Sequence, residues 1–169
     1  MNGIIVYQGK YGATQQYATW LAEALKLRMV EADVAPPYIF AKYDFIILGS
    51  PVYVGQLLIK QWLKQNMAPL TNKKLLLFVV SGSTTNNKVL QQKLLDNNLD
   101  PMLSKSVKTF FLPGRCVISQ LSWLDRIILK IGSWLEKDPA NKKIMQNGFD
   151  NVDHKALVPL IEAVKALED

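Results

Sequence analysis

The most constraining stretch of the chain is its first 27 residues, where the hydrophobic period changes within a few positions. Gly3-Ile4-Ile5-Val6-Tyr7 is an apolar, β-branched run, too short for a helix and suited to a strand covered on both faces. Gln8-Gly9-Lys10-Tyr11-Gly12-Ala13-Thr14 then concentrates two glycines, a lysine and a hydroxyl in one loop. Beyond it, Tyr17, Ala18, Leu21, Ala22 and Leu25 recur at helical spacing, with Gln15, Gln16, Thr19, Glu23 and Lys26 opposite and Thr14 as the expected opening residue. A strand feeding a helix through such a loop can cradle a phosphate, because the first-turn N–H groups lack partners and the macrodipole is positive there. The same geometry also serves as a plain tight connection. Two sharper phosphate motifs are excluded: no Lys-Ser or Lys-Thr pair ends this loop, and its glycines lack the Gly-x-Gly-x-x-Gly spacing.

The rest of the chain repeats the alternation. A short second strand falls within residues 27–34, before Pro36-Pro37. Phe45-Ile46-Ile47-Leu48-Gly49-Ser50 reads as a buried strand and runs into Pro51-Val52-Tyr53-Val54-Gly55, a loop with an exposed aromatic and free amides. A helix follows over 58–66, with Leu58, Trp62 and Leu63 inward and Lys60 and Lys64 outward. Leu75-Leu76-Leu77-Phe78-Val79-Val80 is the clearest buried strand and leads into Ser81-Gly82-Ser83-Thr84-Thr85, a third polar loop. A helix over 87–97 and a strand over 107–112, closed by Pro113-Gly114, complete the series. Strands alternating with helices predict an α/β fold, a parallel sheet covered on both faces, with ligands at the carboxyl ends of its strands.

Residues 117–137 break the alternation. On a helical projection Trp123, Leu124, Ile127, Ile128, Ile131, Trp134 and Leu135 share one face, while Ser122, Asp125, Arg126, Lys130, Ser133, Glu136 and Lys137 share the other. Such a face is expected to pack on the sheet or on a second copy of the chain. Its tryptophans lie beside Lys130 and Lys137, which also suits peripheral membrane contact through Leu121–Leu135. Residues 138–150 read as a polar surface loop, and Leu157, Leu160, Ile161, Val164 and Leu167 mark a last helix that Asp153 can cap and Pro159 can start.

A chain of 169 residues with 49% hydrophobic and 20% charged residues fits one globular domain over 1–169. No apolar run reaches the length of a membrane span, and Met1 leads straight into the first strand, so a cytoplasmic protein is expected, with the inner face of the membrane as the place for peripheral contact. The single cysteine, Cys116, forms no internal disulfide, and the single histidine, His154, reads as a solvated residue of the last helix rather than a partner for the thiol. No His/Cys/Asp/Glu cluster has metal-ligand spacing. The net charge of +6 is concentrated in residues 51–150, which carry fourteen Lys or Arg against six Asp or Glu. A basic middle suits an anionic cofactor, substrate or lipid surface; nucleic acid is not expected, because no basic run is interleaved with aromatics.

Three loops after the first, third and fourth strands of a five-stranded sheet give the sequence a resemblance to the flavodoxins along most of its length. That resemblance implies a doubly wound five-stranded parallel sheet in the order 2-1-3-4-5, with the amphipathic helix as an insertion at about 113–137 after the fifth strand, and flavin mononucleotide (FMN) as cofactor. Gly9, Lys10, Tyr11, Gly12, Ala13 and Thr14 look like the phosphate loop, with Gly9 and Tyr11 where the common pattern has hydroxyl residues. Ser50, Pro51, Val52, Tyr53, Val54 and Gly55 look like the loop that lays an aromatic beside the isoalloxazine and offers a backbone group near flavin N5. Ser81, Gly82 and Ser83 look like the third flavin loop, without an aromatic. Leu112-Pro113-Gly114-Arg115-Cys116 and Leu121-Ser122-Trp123-Leu124-Asp125-Arg126 are similar to flavodoxin-domain proteins related to the oxygen-independent protoporphyrinogen oxidase. The resemblance implies electron transfer through the flavin with a redox partner protein, a quinone or a small-molecule substrate. A basic pI near 9.4, where electron-carrying flavodoxins are usually acidic, favours the enzyme-like branch. A flavodoxin-fold binding or scaffold protein that has lost flavin is the alternative.

Overall fold

The computed structural model describes residues 1–82 and 87–167, so Ser83, Thr84 and Thr85 of the third loop lie outside the described residues. β1 (Gly3–Tyr7) leads through the glycine loop into α1 (Ala13–Leu25) and β2 (Arg28–Glu31). β3 (Phe45–Tyr53) turns back into the short β4 (Gln56–Leu57), followed by α2 (Lys60–Gln65), α3 (Met67–Leu70) and β5 (Lys74–Ser81). α4 (Lys88–Asn98) and α5 (Pro101–Ser106) precede β6 (Lys108–Pro113). The parallel strands stand in the order β2-β1-β3-β5-β6, which is 2-1-3-4-5 over the five of them, and β4 pairs antiparallel with the end of β3.

Both faces of the sheet are core, which is why its strands read as continuous apolar runs. Ile4, Val6, Ile46, Leu48, Leu75, Leu77 and Val79 face one layer, built with Trp62, Leu63, Leu70, Leu94 and Leu103 of α2 to α5. Ile5, Tyr7, Phe45, Ile47, Leu76, Phe78 and Val80 face the other, built with Tyr17, Ala18 and Leu21 of α1. That layer is completed by Leu160, Ala163 and Val164 of α8 (Val158–Lys165), a helix introduced by a 3-10 turn that Asp153 caps. A side chain as fully buried as Phe78 contributes about 2–3 kcal/mol by its removal from water.

Between β6 and α8 the chain makes an excursion. β7 (Arg115–Cys116) pairs antiparallel with β8 (Phe149–Asp150), and between them lie α6 (Trp123–Leu135) and α7 (Pro139–Asn147). The surface loop expected over 138–150 is therefore a helix and a strand. Pro139 supplies a favourable first helical residue, and Lys142, Lys143, Met145 and Gln146 are good helix formers; their polarity resembled that of a loop. Other expectations also shift. Gly12, not Thr14, is the N-cap of α1. Pro51, Val52 and Tyr53 belong to β3 rather than to a loop, and the helix expected over 87–97 buries Leu94 while its Val89 and Leu90 are exposed.

Candidate functional site

The carboxyl ends of β1, β3 and β5 open onto a cleft of about 400 Å³, roofed by the excursion. From the first loop come Lys10, Tyr11, Ala13 and Thr14; from the end of β3 Pro51, Val52, Tyr53 and Val54; from the end of β5 Val80, Ser81 and Gly82. Gly114, Arg115 and Cys116 form the far side, and Leu121, Asp125, Ile128, Leu129, Gly132, Met145 and Phe149 complete the wall. The lining is chiefly apolar, with Lys10, Arg115 and Asp125 as its charged members, a combination typical of cofactor sites.

At the first loop, Gly12 holds φ 82°, a left-handed conformation that starts α1 without a side chain; space around its Cα is open. Among the described residues no side chain caps α1, so its first-turn amides face the cleft mouth available to an anion. At the second, Tyr53-Val54-Gly55-Gln56 closes the β3–β4 hairpin with φ 47° at Val54 and 73° at Gly55, positive at both central residues as in a type I′ turn. Gly55 adopts that backbone freely, whereas β-branched Val54 holds it under strain at the cleft rim.

The charged end centres on Asp125, a buried carboxylate in the first turn of α6. The Tyr11 hydroxyl donates to its Oδ2 and the Tyr53 hydroxyl to its Oδ1, while Lys10 Nζ lies 3.0 Å from Oδ2. Lys10 Nζ also sits 3.5 Å from the centre of the Tyr53 ring, a cation–π contact. The hydrogen bonds from Tyr11 and Tyr53, reinforced by Lys10 and outweighing burial, hold the Asp125 pKa well below the ordinary carboxylate range. Burial acts to lower the Lys10 pKa, and Asp125 and Tyr53 together more than reverse it. The second cation, Arg115, places Nε 2.8 Å from Asp150 Oδ2 and donates from Nη2 to Gln16 Oε1 at 2.8 Å. Cys116 lines the same cleft with its thiol pKa raised by burial. His154 stacks edge-on against Trp20 at 5.0 Å, and among the described residues no hydrogen bond joins it to Cys116.

Ten of the residues expected at the site line this one cleft: Lys10, Tyr11, Ala13, Thr14, Pro51, Val52, Tyr53, Val54, Ser81 and Gly82. Gly9, Gly12 and Gly55 are not among its lining residues; Gly12 and Gly55 shape the loops behind it through their positive φ. Ser50 is fully buried, its hydroxyl donating to the Pro51 carbonyl at 3.0 Å and accepting from the Ile59 amide at 3.2 Å, so it braces β3 from inside. Sequence reading missed Asp125, Arg115 and Phe149. The available signal for Asp125 was Ser122-x-x-Asp125: the Ser122 hydroxyl accepts from the Asp125 amide at 3.2 Å, which fixes where α6 begins and turns the carboxylate toward the loops.

α6 is oriented opposite to expectation. Its inward side is Asp125, Leu129, Gly132 and Ser133, and its apolar face looks out: Trp123 is 69% and Trp134 78% exposed, and Leu124, Ile127, Ile131 and Leu135 are exposed with them, while Ile128 is partly exposed and also borders the cleft. The expectation that this face packs on the sheet is thus overturned. Small residues explain it, because Gly132 lets α7 approach until an added Cβ would stand 3.0 Å from Met145 Cε. Among the described residues no helix is long and apolar enough to cross a membrane.

A family model described as Flavodoxin domain matches residues 4–143. The chain belongs to the flavodoxin domain family. No curated protein sequence matches it significantly. Among solved structures this flavodoxin domain is similar to rubredoxin oxygen:oxidoreductase from Desulfovibrio gigas, with a TM-score of 0.52 and 13% identity over 98% of this chain and 36% of that one. The chain therefore spans about a third of that protein's length, and the likeness is one of fold. Two-electron reduced flavodoxin from Megasphaera elsdenii gives a TM-score of 0.49 and 21% identity over 64% of this chain and 84% of that one. A flavodoxin from the domain Archaea gives 0.47 and 13% over 66% and 83%.

Proposed function

We propose that this flavodoxin-domain protein binds FMN in the cleft and transfers electrons through it. The observation that carries the reading is the convergence of the uncapped α1 N-terminus, the strained Val54-Gly55 turn and the end of β5 on one apolar cleft. The residues fit the group. Amides of the Gly12–Thr14 turn and the Thr14 hydroxyl would hold the phosphate, and Pro51, Val52, Tyr53 and Phe149 offer flat and apolar surface for a heteroaromatic ring. When bound, the flavin would supply one- and two-electron redox chemistry. The chain's part is to shield the ring from water and to offer the phosphate the open first-turn amides of α1, while Lys10 and Arg115 are each paired with a carboxylate.

A finer reading rests on the resemblance of residues 112–126 to proteins related to protoporphyrinogen oxidase. In that reading the substrate is a protoporphyrinogen, whose carboxylates suit a basic chain, and the electrons leave to a quinone or a partner protein. A specific observation favours a working place at a membrane surface: the outward face of α6 carries two exposed tryptophans, with Arg126 and Lys130 on the same helix and Lys137 just past its end. The apolar side chains would enter the interface and the basic ones would meet anionic headgroups.

The test is an absorption and fluorescence titration of the purified protein with FMN. A red-shifted or quenched flavin spectrum with saturable binding is expected; an unperturbed spectrum would leave the flavodoxin-fold scaffold, supported by Tyr11 spending its hydroxyl on Asp125, as the better account. Anaerobic addition of protoporphyrinogen to the flavin-loaded protein then decides the finer reading: bleaching of the oxidised flavin bands is expected, and their persistence removes it.

A further inference from the structure

Asp125 has more partners than the start of a helix needs. An acidic residue in the first turn is ordinarily a solvated charge interacting with the macrodipole. Here the side chain is 7% exposed, and both oxygens are turned away from the helix toward the loops after β1 and β3. Tyr11 is held twice, because its hydroxyl also accepts from the Ser122 amide at 3.3 Å. A carboxylate buried this way is costly unless paired, and its ionic partner is Lys10. The other cation of the cleft wall, Arg115, is engaged with Asp150. An anion entering the cleft thus meets open amides at α1 and a lysine already neutralised by a carboxylate.

We propose that Asp125 acts as an internal anion of the cleft, holding Lys10, Tyr11 and Tyr53 in place and competing with an anionic ligand group for Lys10, so that its charge sets how tightly the cleft takes anions. For FMN this rests on the reading above. The consequence is selective: the carboxylate opposes the phosphate-bearing flavin and leaves uncharged riboflavin unaffected. Displaced from Asp125 by a ligand, Lys10 would leave the carboxylate held by the two tyrosine hydroxyls alone, and α6 would keep its tie to the two loops through them.

Asp125→Asn removes the charge while keeping an oxygen that can accept from a tyrosine. Fluorescence titrations with FMN and with riboflavin, on wild type, Asp125→Asn, Lys10→Met and the double variant, read the effect. The expected outcome is FMN binding about tenfold tighter in Asp125→Asn, riboflavin within about twofold of wild type, and less than about threefold effect of the same substitution on FMN in the Lys10→Met background. Equal changes for both flavins, or none for either, would make Asp125 a structural helix residue and overturn the proposal. Asp125→Ser carries the same expectation where the asparagine variant does not fold. If neither flavin binds any variant, the FMN reading falls separately, and inorganic phosphate decides the anion claim by amide shifts of residues 10–14 in NMR titration. A lower midpoint concentration in Asp125→Asn supports it; identical midpoints overturn it.

Discussion

The Tyr17 hydroxyl donates to the Pro113 carbonyl at 2.8 Å, tying the helix behind the first glycine loop to the exit of β6. The same oxygen accepts from the Asp153 amide at 3.0 Å, so one fully buried phenol joins α1, β6 and the approach to α8. Burial first, then Asp153 and Asp150, raise its pKa, and it stays a neutral donor throughout the physiological range. Tyr17→Phe keeps the ring and strands both backbone groups; a loss of about 1–3 kcal/mol is expected. Urea denaturation checks it, with a lower midpoint at unchanged slope.

Val54 holds φ 47° where the type I′ turn favours asparagine. The left-handed region costs an ordinary L-residue about 1–2 kcal/mol. Val54→Asn recovers most of this without glycine's entropic cost, and the melting temperature should rise by about 2–4 °C. A fall in flavin affinity at the same time would identify the strain as part of the site's shape.

Asp125 makes stability depend on acid in a defined direction. Its folded pKa lies below the unfolded value near 3.9, so its contribution is fully present above pH 4 and is lost as pH falls toward the folded pKa. Wild type should lose its advantage over Asp125→Asn at about 1.4 kcal/mol per pH unit below that point. Melting curves of the two proteins between pH 7 and pH 3 check this; a constant gap would show that the carboxylate keeps an ordinary pKa.

The outward face of α6 gives a sedimentation prediction. Wild type should pellet with vesicles containing anionic lipid and release in high salt, whereas Trp134→Lys and Ile131→Lys should bind severalfold less. Both side chains are exposed, so neither substitution should lower the melting temperature. A wild-type protein that stays in the supernatant and sediments as a dimer would assign the face to a second copy of the chain.

The sheet was legible because each of its central strands is buried on both sides. Ile4 to Val6, Ile46 to Leu48 and Leu75 to Val80 leave no alternation to misread, and the glycine loop announces α1. α6 was legible as an amphipathic helix, but a projection separates two faces without saying which one looks inward. That was decided by Gly132 packing toward Met145 of α7, by the burial of Ser133, and by the partners of Asp125, which come from residues more than seventy positions away. β7 and β8 have two residues each, too few for a periodic signal, and they exist through their pairing with one another.

That pairing has a topological consequence. Cys116 stands opposite Phe149, so residues 117–148 leave and re-enter the domain through a single doorway. A segment with adjoining ends is a cartridge: it can be excised and its ends rejoined by a tight turn without rerouting any strand of the sheet. The wall it contributes to the cleft, from Leu121 to Met145, can therefore be exchanged independently of the sheet that carries the loops. Within one family, such an exchange would give the same cradle a new roof and a new neighbour.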